Sequence, residues 1–140
     1  MGKIPLWQQV TAEQFENEIV PLNKPAHLKS LVGGWTAVKA GLESPRGIVD
    51  YLSAMDNDKV VSAVVGKPEI NGRFFYADDL KGSNFTRAPV TLSIALEQLL
   101  KVIDQQNPHA IAVQAIPIRA MLAGFEDENP QPLLDKTIAP

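Results

Sequence analysis

An α+β fold follows from three features of the sequence. Leu92, Leu96, Leu99, Leu100 and Ile103 recur at helical spacing, which predicts one amphipathic helix from Thr91 to Ile103. Lys59 to Val65 reads KVVSAVV, a β-branched run that suits a strand. Eleven prolines cut the 140 residues into short elements and argue against a simple helical bundle.

The elements follow in order. Thr11-Ala12-Glu13-Gln14 reads as a capping box, with the Thr11 hydroxyl accepting from the Gln14 backbone and the Gln14 amide reaching back. Phe15 and Ile19 share one face of the helix so begun, and Pro21 and Pro25 end it. Residues 26–32 (AHLKSLV) predict a short strand closed by a turn at Gly33-Gly34, and residues 35–42 a short helix. Ser44-Pro45 starts another helix, with a capping serine and proline at the first helical position. Its apolar face is Ile48, Val49, Tyr51, Leu52 and Met55, and Asp56-Asn57-Asp58 is a turn. The strand at 59–65 is expected to pair with Phe74 to Tyr76 as a hairpin through residues 69–72. Asn107-Pro108 stops the long helix. Residues 110–116 (AIAVQAI) predict a strand buried on both faces except at Gln114, followed by a helical turn at 117–122. Residues 126–140, with three prolines and little periodicity, read as an irregular tail of one region that spans 1–140.

Composition narrows the function. The apolar share of 45% supports a core, and the net charge of −3 with singly scattered Lys and Arg argues against nucleic-acid binding. No apolar run reaches the eighteen or so residues of a membrane span, and the first residues lack a signal-peptide apolar stretch. With zero cysteines, disulfides, thiolate zinc sites and a cysteine nucleophile are excluded, and a cytoplasmic setting is expected.

No complete catalytic or metal-binding constellation stands out. His27 and His109 are the only histidines, neither in a metal-motif spacing, and both read as structural or surface residues. Gly-x-Ser-x-Gly and the phosphate-binding Gly-rich loop are absent. The densest segment is Arg73 to Phe85, where aromatics, the Asp78-Asp79 pair and a Gly82-Ser83-Asn84 turn crowd thirteen positions. A turn so rich in specific side chains and held by a strand suits ligand handling. Adjacent carboxylates on extended backbone point to opposite sides, so one of the pair at most faces a site. Gln114 needs a partner if buried, either neighbouring backbone or a ligand.

The order of these motifs resembles the N-terminal part of the cupin-like, jumonji-C-related family of Fe(II)- and 2-oxoglutarate-dependent oxygenases. Phe74-Phe75-Tyr76 leads through Asp78 and Lys81-Gly82 to Asn84-Phe85. The amphipathic helix, Ala110 to Pro117, and Gly124 to Asn129 follow. Pro25-Ala26-His27, Gly34-Trp35 and Ser44-Pro45 fit the family's opening, so the resemblance covers essentially the whole chain. It implies the helix–strand opening of a double-stranded β-helix oxygenase, without the iron-binding barrel. The family's iron ligands are a His-x-Asp pair and a later histidine; this chain has no His-x-Asp. The family's 2-oxoglutarate lysine likewise falls beyond the matching region.

What the resemblance implies is therefore an N-terminal fragment of a hydroxylase, inactive alone, with no catalytic residue and no metal ligand of its own. Fe(II) and 2-oxoglutarate belong to the full-length parent and not to this chain. By similarity to the asparaginyl hydroxylase of hypoxia-inducible factor, Tyr76, Asp78 and Gln114 are the substrate-binding residues. Where that enzyme has a tyrosine near 2-oxoglutarate, this chain has Ala112. The expected partners are a protein or small-molecule substrate in the parent and further copies of the chain in a homo-oligomer, with no nucleic acid and no membrane. The alternative is a non-catalytic protein-interaction module that self-associates. A third reading is a small acidic hydrolase using Asp78 and another carboxylate.

Overall fold

The computed structural model describes residues 3–133 and divides into two compact units. Within the described residues one unit comprises 3–39 with 126–133, and the other 40–125.

In the first unit, β1 (Leu6–Gln8) pairs in parallel with β2 (His27–Lys29), Leu6 opposite His27. Between them, α1 (Ala12–Gln14) starts as expected, the Thr11 hydroxyl accepting from the Gln14 amide at 3.1 Å. The Gln14 side chain donates forward to Glu18 at 3.4 Å instead of back to the cap. The helix then widens into a π turn over Phe15–Ile19, tightens over Val20–Leu22, and ends at Asn23 in the left-handed region. The strand expected over 26–32 is only three residues long. Ser30 takes a φ of 59° and accepts from the Gly33 amide at 3.1 Å, which bends the chain out of extended geometry.

The helix expected over 35–42 is α2 (Thr36–Glu43). Its early Ala37 amide has no partner within the helix. Asn129, a buried polar residue, supplies one: its Oδ1 accepts from that amide at 3.0 Å. Nearby, Trp35 Nε1 donates to the Pro130 carbonyl at 2.8 Å. The segment read as a tail thus begins with a helical turn, α6 (Phe125–Glu128), and continues into residues that cap α2. The rest of that expectation, at 134–140, lies outside the described residues.

In the second unit, α3 (Pro45–Ser53) opens as predicted, with Ser44 Oγ accepting from the Gly47 amide at 2.9 Å. A Cβ at Gly47 would stand 2.8 Å from the Ala40 carbonyl oxygen, a backbone atom that cannot swing away. Alanine normally gains about 1 kcal/mol over glycine inside a helix, but overpacking costs about 2 kcal/mol. Gly47→Ala should therefore destabilise by about 1 kcal/mol. A rise in the thermal midpoint of this variant would show that the two backbones are not in close contact.

The core is a three-stranded antiparallel sheet in the order β4 (Phe85–Thr91), β3 (Val60–Gly66), β5 (Ala110–Val113). Gly66 stands opposite Phe85 on one side and Ala110 on the other; Ala63 stands opposite Ala88 and Val113. Val61 and Ala63 point to one face of the sheet, and both are buried, as are Leu92 and Ala95 of the expected helix, α4 (Leu92–Val102). Two expectations are corrected. The partner of β3 is β4 and not Phe74 to Tyr76, because a turn at Pro68–Ile70 and the left-handed Asn71 lead the chain away from the sheet. The strand expected to run to 116 stops at Val113, and Ala115 has a φ of 54°. Pro89, which has no N–H to donate, is tolerated because β4 is an edge strand.

The start of α4 is tied down by Asp56. Its Oδ2 accepts from the Ser93 amide at 2.8 Å and the Ser93 hydroxyl at 2.6 Å, while Oδ1 accepts from the Asp58 amide at 3.2 Å. The acidic turn expected at 56–58 is thus also a helix anchor. The helical turn expected at 117–122 is α5 (Ile118–Met121). It is held to the same turn by Asn57, whose side-chain amide donates to the Ala120 carbonyl.

Candidate functional site

The Arg73–Phe85 segment folds back on itself just before β4. Tyr76 bridges to Ser83, and the Ala77 amide donates to the Gly82 carbonyl at 2.8 Å. At the tip the Leu80 amide donates to the Ala77 carbonyl at 2.9 Å, and Asp79 Oδ1 accepts from the Lys81 amide at 3.0 Å. Asn84 closes the base. Its Oδ1 accepts from the Phe75 amide at 2.8 Å, its Nδ2 donates to the Arg73 carbonyl at 2.9 Å, and its own amide donates to the Phe75 carbonyl at 2.9 Å.

Aromatic packing seats this loop on the sheet. Phe74 meets Phe85 edge to face at 5.6 Å, and the Arg87 guanidinium lies 5.5 Å from the Phe85 ring centre. Phe74 and Ile70 crowd Gly66 so closely that a side chain there would collide with them. The glycine at the end of β3 is what admits these two side chains.

The seated loop presents Phe75 and Tyr76, 66% and 62% exposed, with their rings edge to face at 5.1 Å. Asp78 is exposed beside them. Among the described residues neither the Tyr76 hydroxyl nor the Asp78 carboxylate is engaged in a hydrogen bond. A phenol that donates or accepts and a carboxylate that accepts are thus held outward on a braced loop. Leu80, 74% exposed, sits at the tip with a φ of 58°.

Gln114 is placed differently. It follows the last residue of β5 and is exposed, so the buried amide that would need an internal partner does not arise. The loop joins the sheet at the Gly66 end of β3, whereas Gln114 leaves it past the Ala63 row. Those rows are three residues, or about 10 Å, apart along the strand. Tyr76 and Asp78 thus share one loop, and Gln114 follows a different strand. Sequence reasoning singled out Tyr76 and Asp78 but passed over Asn84 as a turn residue. Its signal is faint, because its side chain bonds to backbone nine and eleven positions earlier.

A non-haem iron site of the facial type needs two histidines and a carboxylate on one side of the metal. His27 lies exposed on β2 in the first unit. His109 precedes β5 in the second, on an apolar groove whose other walls are α4 and the sheet, with no carboxylate among its lining residues. Among the described residues no group of three histidine, aspartate or glutamate side chains is placed to hold a metal ion. The described residues do not fit the iron centre that the resemblance implies. Among the described residues, too, no helix is long and apolar enough to cross a membrane.

Compared with known families, the chain matches the model of the cupin-like domain over residues 12–140. No match is found among curated proteins.

Proposed function

Because the chain belongs to the cupin-like domain family, we propose that it forms the substrate-side portion of an Fe(II)- and 2-oxoglutarate-dependent hydroxylase. The family match over nearly the whole chain carries this reading. It is a match to the family and singles out no one member, so the comparison with the asparaginyl hydroxylase remains a guide to residues only. In this reading Tyr76 and Asp78 hydrogen-bond the substrate from the braced loop, and Gln114 meets it from the end of β5. Bracing supports that role, since a pre-ordered loop loses little conformational freedom on binding. The iron is assigned to residues outside the described ones, because no group of three ligands among these is placed to hold it. The test is the reading frame after Pro140. A His-x-Asp encoded within a few tens of residues supports the reading, and its absence favours the second one.

The second reading is a non-catalytic interaction module that self-associates. The observation that favours it is β5, among the described residues an edge strand of the sequence Ala110-Ile111-Ala112-Val113 with neither charge nor proline. Natural edges are usually guarded by one or the other, because an unguarded edge pairs with another strand. The opposite edge, β4, carries both Arg87 and Pro89. Light scattering over a concentration series should show the mass climbing above that of one chain. A constant monomer mass would remove the support for this reading.

A further inference from the structure

We draw no further inference here: the strongest candidate, the apolar groove that α4 and the three-stranded sheet form around Ile94, Val102, His109 and Ile111, carries nothing because nothing in the structure shows what covers it.

Discussion

Asp56→Ala should cost the chain about 2–3 kcal/mol of stability. One carboxylate accepts three hydrogen bonds, two from Ser93 at the start of α4 and one from the Asp58 amide. Bonds to a charged group contribute about 1.5–3 kcal/mol, and the substitution leaves a half-buried hydroxyl and an early helical amide without their partner. The same geometry sets a pH dependence. Burial pushes the Asp56 carboxyl up, but the Ser93 hydroxyl, the Ser93 amide and the Asp58 amide together outweigh it and hold the carboxyl below its ordinary 3.8. A carboxylate whose pKa is depressed by folding stabilises the folded state above its unfolded pKa. That contribution is lost as pH falls through the folded value. Denaturant unfolding of both proteins checks this: the gap between parent and Asp56→Ala should be full at pH 7 and shrink below about pH 4. A gap that does not change on acidification would mean that the Asp56 charge has no part in it.

Asn84→Ala should loosen the candidate site by about 2 kcal/mol, from two side-chain hydrogen bonds of about 1 kcal/mol each. Both bonds lie at the base of the loop that carries Tyr76 and Asp78, and the sheet does not depend on them. The effect should therefore be local. Amide hydrogen exchange at Ala77 and Leu80, which donate within the loop, should accelerate by roughly thirtyfold, the equivalent of that 2 kcal/mol. Exchange in β3 should stay unchanged. Equal acceleration in both places would show that the loop and sheet open as one unit and that Asn84 is no separate clamp.

The helices were legible in the sequence because their signals are local. Thr11, Ser44 and Thr91 each cap the helix that follows, and the leucine spacing of α4 needs no distant partner. Strand pairing was not legible in the same way. The run Phe74-Phe75-Tyr76 has higher strand propensity than Phe85-Thr86-Arg87-Ala88-Pro89, yet the latter pairs with β3. The turn at Pro68–Ile70 and the left-handed Asn71 carry residues 74–76 away from the sheet, and strand propensity does not register that. The site divides along the same line. Tyr76 and Asp78 were singled out by the family resemblance within a dense segment, while Asn84 acts across nine and eleven positions. Asp56 looked like a turn residue because its partner, Ser93, is 37 positions away.

In the proposed function this chain supplies a substrate-binding surface and no iron ligand. Decarboxylation of 2-oxoglutarate to succinate, assayed with Fe(II) and oxygen on the 140-residue chain and on the chain carried through the downstream reading frame, checks this. No turnover above the iron-free control is expected from the 140 residues, and turnover is expected from the longer chain. Iron-dependent turnover by the 140 residues alone would contradict it.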